Sequence, residues 1–351
     1  MKFPKKLQGA NSLLAKSLTK AIFEELKEKK TTNNFTLKKV IKSGVKNIDS
    51  SIGAYAGDKE TYTVFAALFD KIIAEYHNFK KEDLHQSNLN PEDLFAPNLD
   101  IEGKYIISTR IRVARNIKDV SLGTAILKKQ RNEIENRVST ILKSLKGELA
   151  GKYYALKGMR KEEKESLISN HFLFKSDDRF LEAAGLHRDW PNGRGIFHNN
   201  DKTFLVWINE EDHLRIISMQ QGGNIKEVFV RLVHAIEKIQ QKIDFAYDKH
   251  LGYIATCPTN LGTAMRASVH IKLPKLGENK KTFKVIADKY KIQIRGIDGE
   301  HSKSKENIYD ISNKQRLGVS EVACVQDMYY GVVALIKKEK ELENNTKLTS
   351  K

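Results

Sequence analysis

The sequence predicts an α+β protein: a small all-α domain at residues 1–95, then a larger α/β domain at residues 96–351 with a mainly antiparallel sheet flanked by helices. Three observations predict this class. Apolar residues recur at helical spacing in the first hundred residues. Strand-like and helix-like segments alternate from Lys104 onward. Two of the strand-like segments are joined by only residues 209–212, which favours hairpins over a purely parallel sheet.

The N-terminal domain is predicted to contain two amphipathic helices separated by a loop. Their apolar positions are Leu14, Leu18, Ile22 and Leu26 in the first helix, and Phe65, Leu68, Phe69, Ile72, Ile73 and Tyr76 in the second. The polar residues 49–58 form the intervening loop. Residues 85–100, which contain two prolines and several Asn and Asp, have the composition of a linker.

Strands and helices alternate through the larger domain. The first predicted strand places Tyr105, Ile107, Thr109, Ile111 and Val113 on one face and Ser108, Arg110 and Arg112 on the other. Further strands are predicted at 203–208 and 213–220, which form a hairpin, at 252–256 and 265–273, which flank a tight turn, and at 291–295. Helices are predicted at 134–145, ended by Gly147, at 225–243, and from Ser320 onward.

Length and composition restrict the class of protein. With 351 residues, 40% of them hydrophobic, the chain can bury the cores of a large and a small domain. No apolar run approaches the roughly 20 residues that span a bilayer, and no signal-peptide pattern follows the basic N-terminus. The two cysteines, Cys257 and Cys324, do not suggest a disulfide framework. We therefore expect a cytoplasmic protein without a membrane partner.

The net charge of +17 has two interpretations. It is compatible with a nucleic-acid-binding surface. It also fits a lysine-rich solvated surface combined with arginines that bind an anionic ligand. Many lysines lie in mixed runs such as residues 337–341, and no nucleic-acid motif is present. The second interpretation is therefore favoured, and no nucleic-acid partner is expected.

Arginines and histidines occupy one face of several predicted strands. They are Arg110 with Arg112, His213 with Arg215, and Arg266 with His270, while Arg295 ends another strand. A buried guanidinium needs an anion, because an unpaired buried charge is very costly. Each arginine could pair with a carboxylate on a neighbouring strand, but several such faces together favour a nucleoside triphosphate. Since there is no P-loop or protein-kinase motif, arginine side chains would have to hold the phosphates.

The turn at residues 257–263 contains one of the two cysteines. Beside arginines and the Thr259 hydroxyl, the Cys257 thiol is predicted to have a lowered pKa. The alternative is a small, inert, buried hydrophobic residue, which is the commoner fate of a lone cysteine.

Four blocks of the sequence resemble those of the phosphagen (guanidino) kinases, the family that includes the arginine and creatine kinases. They are residues 257–270 (CPTNLGTAMRASVH), 209–219 (NEEDHLRIISM), 108–112 (STRIR) and 189–196 (DWPNGRGI). The resemblance extends from Ser12 almost to the C-terminus. It implies reversible transfer of the γ-phosphoryl group of ATP to a guanidinium, with Mg²⁺ held mainly by phosphate oxygens and waters rather than by direct protein ligands.

By this resemblance, nucleotide-binding residues are expected along the strand faces and nearby loops. They are Arg110, Arg112, His171, Arg215, Arg266, His270, Arg295 and Asp310. Glu210 and Asp212 are candidates to contact Mg²⁺ through water. Arg215 is also expected to take part in catalysis.

The resemblance also assigns a guanidino site. Glu211 and Cys257 match the carboxylate and thiol that hold the guanidinium, and Glu300 matches a second carboxylate that is typical of arginine kinases. The short loop that contains Ser50, Ser51, Ile52, Gly53 and Tyr55 resembles a specificity loop, whose amides and Tyr55 hydroxyl would receive the substrate carboxylate. The expected partners are therefore ATP and ADP, free L-arginine and phosphoarginine.

The likeness to arginine kinases has two departures, Ser51 where Gly is common and Asp298 where Arg is usual. Alternative activities are another guanidino kinase, such as a taurocyamine kinase, and a protein-arginine kinase, which would lack the N-terminal domain. A monomer is expected, with a dimer as the alternative.

Overall fold

The computed structural model describes residues 1–296 and 307–349 of the chain. Six short helices form the N-terminal part. They are α1 (Leu13–Ser17), α2 (Lys20–Leu26), α3 (Leu37–Val40), α4 (Lys42–Lys46), α5 (Thr61–Val64) and α6 (Ala66–His77). The predicted loop at 49–58 lies between α4 and α5. Leu14, Leu26, Phe65 and Phe69 pack into one apolar cluster of this region.

The first predicted helix is in fact two. Thr19 interrupts it in an extended conformation, and its hydroxyl accepts a hydrogen bond from the backbone N–H of Ile22 at 3.2 Å, which caps α2. The apolar spacing continues across the break because both helices face the same core. Periodicity therefore located the buried face correctly and missed the cap.

Eight strands form the main sheet of the larger part, and two more form a small hairpin sheet. In chain order the strands are β1 (Ile106–Arg115), β2 (Gly151–Ala155), β3 (Gly195–Asn199), β4 (Phe204–Ile208), β5 (Leu214–Gln221), β6 (Tyr247–Asp248), β7 (Gly252–Tyr253), β8 (Met265–Lys272), β9 (Ile292–Arg295) and β10 (Ile308–Asn313). The main sheet has the order β2-β3-β4-β5-β1-β8-β10-β9, and neighbouring strands are antiparallel throughout. The predicted β4–β5 hairpin and mainly antiparallel sheet are confirmed.

Seven helices accompany this sheet. They are α7 (Lys128–Lys143), α8 (Lys161–Ser169), α9 (Arg179–Ala184), α10 (Ile225–Gln240), α11 (Pro274–Glu278), α12 (Lys280–Lys289) and α13 (Glu321–Thr349). Helices α7, α10 and α13 pack with one face of the sheet in the largest apolar cluster. Helix α7 ends before Gly147, which instead begins a 3-10 turn at Gly147–Leu149. Within the described ranges, no helix is long and apolar enough to cross a membrane.

The alternation predicted for β1 is interrupted at Ile107. The pairing of β1 with β8 shifts between Ile106 and Ser108, as a β-bulge does, and Ile107 is 40% exposed rather than buried. From Ser108 onward the predicted alternation holds, so Arg110 and Arg112 share the face opposite the apolar core. The predicted strand at 252–256 is shortened to β7.

Candidate active site

The sheet face opposite α10 carries a dense group of charged side chains. In the register of the strands, Arg112 on β1 lies opposite Arg266 on β8, and His270 lies opposite Asp310 on β10. Asp310 in turn lies opposite Arg295 on β9. Arg110 and Arg112 share one strand face, and so do Arg266 and His270, as the sequence predicts. The pairing of the strands, which the sequence does not predict, places these residues side by side.

Arg266 and Arg215 on this face pair with carboxylates of the described residues. Arg266 donates to Asp310 at 2.7 Å. Arg215 forms an ion pair with Glu210 at 3.0 Å and another with Glu211. Burial by itself would lower the pKa of Arg215, but Glu210 and Glu211 outweigh it and raise that pKa. The alternative interpretation, in which an arginine of this face pairs with a carboxylate of the protein, is therefore correct for Arg215 and Arg266.

Arg110 and Arg112 are in the opposite situation. Neither side chain forms a hydrogen bond or ion pair with any residue in the described ranges, although Arg110 lies over the Trp207 ring at 5.3 Å. Burial lowers the pKa of Arg110 to about 10, and burial together with the charge of Arg215 lowers that of Arg112 strongly. An anion bound at this point would relieve the repulsion between these like charges.

A cleft of about 640 Å³ lies at one end of this charged face, where the sheet meets the N-terminal helices. It brings together predicted residues that are far apart in the sequence: Ser50, Ser51, Ile52, Tyr55, Arg112, Glu210, Glu211, Arg215, Cys257 and Arg295. The lining therefore combines arginines, two glutamates and the loop at residues 50–55. Such a cleft can hold a polyanion and a smaller polar molecule next to each other.

Glu211 lies in the turn between β4 and β5. The turn begins at Asn209, whose φ of 56° is left-handed and whose side-chain amide donates to the carbonyls of Arg131 at 3.0 Å and Gly193 at 2.7 Å. Burial raises the pKa of Glu211 to about 8, against the pull of Arg215. A carboxylate with this pKa can accept a proton near neutral pH.

Cys257 lies within the same cleft, just before the 3-10 turn Pro258–Asn260. Its Sγ atom is 3.1 Å from the Thr259 hydroxyl. The lowered pKa that the sequence suggests is wrong for the ligand-free protein: burial raises the pKa of Cys257 to about 12, and the charge of Glu211 adds to this. Cys257 is 6% exposed. The pKa of its thiol is influenced by the carboxylate of Glu211 more than by the arginines.

The loop at residues 50–55 lines the cleft through Ser50, Ser51, Ile52 and Tyr55, whereas the predicted residue Gly53 does not line it. The Ser50 and Tyr55 amides are used internally, donating to Asn47 and Val40 carbonyls. The amides of Ser51, Ile52 and Gly53 donate to no group in the part of the chain that the structure describes. Consecutive amides of this kind can bind a carboxylate or another small anion.

This loop is fixed by close contact between two glycines. The Gly44 amide donates to the Gly53 carbonyl at 3.0 Å, and Gly53 has a φ of 85°. A Cβ atom on Gly44 would lie 2.6 Å from the Gly53 Cα and 2.7 Å from a Leu14 methyl group, so backbone would have to move.

We expect Gly44→Ala to destabilise the protein by about 1–3 kcal/mol, because its methyl group overpacks this contact. Lys46→Ala is the matched control, since Lys46 lies exposed on the same helix and should change stability by less than about 0.5 kcal/mol. Denaturant unfolding of both variants measures the difference. Equal stabilities would show that the helix and loop do not need glycine here.

Some predicted residues lie outside this arrangement. Both ring nitrogens of His213 are used by the backbone, Nδ1 accepting from Ile117 N–H at 3.0 Å and Nε2 donating to the Ser121 carbonyl at 2.9 Å, so His213 does not join Arg215 as a ligand-facing residue. Asp212 is 1% exposed and does not line the cleft. Burial is the main cause of the lowered pKa of His270, and the charge of His171 lowers it further, so the two histidines lie near each other. Glu300 and Asp298 lie outside the described residues.

The structure adds residues that sequence reasoning missed. Arg316 lines the cleft and donates to the Thr259 carbonyl at 2.9 Å, and Lys314 and Asn260 line it as well. Arg179 on α9 donates to Asp49 at 3.0 Å and to Asn47 at 3.1 Å, which connects the loop to the larger part of the chain. No periodic pattern marks these residues, because they lie on loops and on a six-residue helix.

Comparison with known proteins is consistent with this site. Residues 8–74 match the N-terminal domain of ATP:guanido phosphotransferases, and residues 133–342 match their C-terminal catalytic domain. An arginine kinase of Anthopleura japonica is 54% identical over 98% of this chain and 48% of its own length. An arginine kinase of Penaeus monodon is 52% identical over 96% of both chains.

Solved structures are similar in fold as well. A duplicated taurocyamine kinase from Schistosoma mansoni with bound transition-state-analogue components has a TM-score of 0.92 at 44% identity, over 97% of this chain and 48% of that one. A lombricine kinase has a TM-score of 0.91 at 39% identity, over 98% and 96%. This chain thus spans about half of the Anthopleura and Schistosoma proteins and nearly all of the other two. The chain belongs to the ATP:guanido phosphotransferase family, as its four sequence blocks imply.

Proposed function

We propose that this enzyme is an arginine kinase, which reversibly transfers the γ-phosphoryl group of MgATP to the guanidinium of free L-arginine. The observation that carries the proposal is the cleft, which brings Glu211 and Cys257 together with arginines and with Ser51 and Ile52, whose amides are available. The relatives named arginine kinases at 50–54% identity support the same acceptor.

In this proposal the arginines bind the phosphate groups of the nucleotide. Arg112, which has no partner among the described residues, and Arg110 beside it supply positive charge that the ligand-free protein leaves uncompensated. Arg215, Arg266 and Arg295 complete a cage around the nucleotide, with His171, His270 and Asp310 farther along the strands. Such a cage stabilises charge on the transferring group, which is usually the largest contribution to catalysis.

In this proposal Glu211 orients and deprotonates the substrate guanidinium. A free guanidinium is protonated at neutral pH and is a poor nucleophile. The Glu211 carboxylate can orient it through paired hydrogen bonds and take up its proton as the N–P bond forms. Cys257 lies at the edge of the same site and fixes the position of the substrate. We propose Glu300 as the second carboxylate on the strength of its sequence position.

Mg²⁺ is expected to arrive with the nucleotide. Among residues 1–296 and 307–349, no group of three or more His, Cys, Asp or Glu side chains could hold a metal ion. Glu210 lines the cleft, and we propose it as the carboxylate that contacts a nucleotide-bound ion through water. When bound, Mg²⁺ supplies further charge neutralisation on the phosphates.

The loop at residues 50–55 supports free L-arginine as the phosphoryl acceptor. The available amides of Ser51 and Ile52 suit the α-carboxylate of a free amino acid. The matching N-terminal domain disfavours a protein-arginine kinase, which would lack it. Another guanidino kinase stays the second candidate, because the same amides can bind a sulfonate and a taurocyamine kinase shares this fold.

We expect kcat/KM to be highest for L-arginine among arginine, taurocyamine, creatine, glycocyamine and an arginine-containing peptide. Agmatine, which is arginine without its carboxylate, should be at least about 100-fold poorer, because the loop amides are then left without their anion. A coupled ATPase assay over this panel measures the ranking. A preference for taurocyamine would show that L-arginine is not the main acceptor, without changing the family assignment. Transfer to the peptide alone would overturn the proposal.

A further inference from the structure

Three parts of the candidate site meet at Thr256, the buried residue before Cys257. Its carbonyl accepts from the Ala56 amide at 2.8 Å, next to the loop at residues 50–55. Its hydroxyl donates to the Glu211 carbonyl at 3.1 Å. Its amide donates to Asp212 Oδ1 at 2.8 Å. The loop, the Glu211 turn and the Cys257 turn are thus connected through a single residue.

Asp212 and Asn116 secure this junction from the interior. Asp212 Oδ1 also accepts from Asn116 Nδ2 at 2.7 Å, and Nδ2 is 2.9 Å from the Ile254 carbonyl. The Asn116 side-chain oxygen accepts from the His213 amide at 2.9 Å. Asp212 and Asn116 are each 1% exposed, and Thr256 is fully buried. One carboxylate oxygen therefore fixes both turns to the end of β1.

This geometry conflicts with a metal-directed role for Asp212. Its other oxygen, Oδ2, is buried and has no hydrogen-bond partner among the described residues, and the side chain does not line the cleft. Burying a carboxylate oxygen that has no hydrogen-bond partner costs free energy. We therefore infer that Asp212 is kept at this position by the hydrogen bonds that its Oδ1 accepts.

We propose that Asp212 is a positioning residue that, with Asn116 and Thr256, fixes the separation between Glu211 and Cys257. The inference rests on the proposed function for the chemistry that it serves. A displacement of about 1 Å at a reacting group can reduce turnover by roughly 100-fold, so a fixed separation matters.

The test compares Asp212→Ala with Asp212→Asn, whose amide oxygen can still accept from Thr256 and Asn116. We expect kcat to fall about 10- to 100-fold in the alanine variant and to return within about threefold in the asparagine variant. KM for ATP and the Mg²⁺ concentration for half-maximal activity should stay at their wild-type values. Both variants remove the Asp212 charge, which contributes to the raised pKa of Cys257, so alkylation of Cys257 should accelerate in both and markedly more in Asp212→Ala, with Cys324 as the internal reference.

Two further variants keep the test decisive if Asp212→Ala does not fold. Thr256→Val removes the hydroxyl bond to Glu211 at constant shape, and we expect a smaller loss of kcat, whereas Thr256→Ser should match wild type. Asn199→Ala is the matched control for lost stability: Asn199 is 5% exposed, and its side chain bonds four groups around the β3–β4 hairpin, away from the cleft. It should lower the melting temperature without changing kcat.

Equal losses in Asp212→Ala and Asp212→Asn, together with a raised Mg²⁺ requirement, would overturn the proposal in favour of a role for the charge. Unchanged kcat and unchanged Cys257 labelling in both Asp212→Ala and Thr256→Val would also overturn it. Failure of the proposed function is recognised separately, because wild-type enzyme would then transfer no phosphate to any guanidino acceptor. The labelling and stability measurements remain valid in that case.

Discussion

Arg112→Met is expected to lower kcat by about 100- to 1,000-fold, the usual effect of losing one stabilising group of a transition state. The same change should leave the ligand-free protein as stable as wild type, or more stable by up to about 1 kcal/mol, because it removes an uncompensated, half-buried charge. Burial and the nearby charge of Arg215 already oppose the charged form of Arg112. Methionine fills the same space without this repulsion.

Arg115→Met is the matched control on the same strand. Arg115 is fully buried, donates to the carbonyls of Ala114 and Thr263 at 2.8 and 3.0 Å, and lies 3.4 Å above the Tyr253 ring. Its loss should cost about 3 kcal/mol of stability and leave the kcat of the folded enzyme close to wild type. Unfolding should be measured in a buffer without phosphate or sulfate, which could bind the arginines. If Arg112→Met destabilises the protein as Arg115→Met does, Arg112 is a structural residue.

The charged sheet face could be predicted because it depends on local rules. Side chains alternate along a strand, which puts Arg110 and Arg112 on one face of β1, and Arg266 and His270 on one face of β8. The register that places Arg112 opposite Arg266 joins strands far apart in the chain and is set by the fold. The β4–β5 turn was equally visible, since four polar residues between two apolar strands leave little choice. The break at Thr19 depends on one capping hydrogen bond, and the bulge at Ile107 on a shift in strand register, and hydrophobic periodicity records neither.

The electrostatics of the site depended on contacts that the sequence does not contain. The Cys257 turn has arginines near it in the chain, which suggested a lowered pKa. In the fold, Arg215 is occupied by Glu210 and Glu211, and the thiol is buried beside Glu211, so its pKa moves the other way. Arg316 was missed for a related reason: it follows β10 in sequence but contacts the turn after Cys257.

Glu211→Gln is expected to reduce kcat by about 100- to 10,000-fold, because an amide cannot take up the proton of the guanidinium. In the wild type, kcat/KM should rise with pH through about 8, where Glu211 of the ligand-free enzyme ionises. Burial raises this pKa from its ordinary 4.5, so the folded state holds a proton that the unfolded state has released. The free energy of unfolding should therefore decline as the pH rises from about 4.5 to 8, and less so in Glu211→Gln.

The same variant should make Cys257 more reactive. The negative charge of Glu211 disfavours the thiolate, so its removal lowers the pKa of Cys257 and speeds alkylation at a given pH above 8. Cys324 provides the reference, since burial also raises its pKa to about 12 and Glu211 is not among the charges that act on it. Labelling of both thiols against pH, with kcat measured on the same samples, tests the two effects together. Turnover within tenfold of wild type would remove Glu211 as the proton acceptor, and unchanged Cys257 labelling would show that Glu211 does not control the thiol.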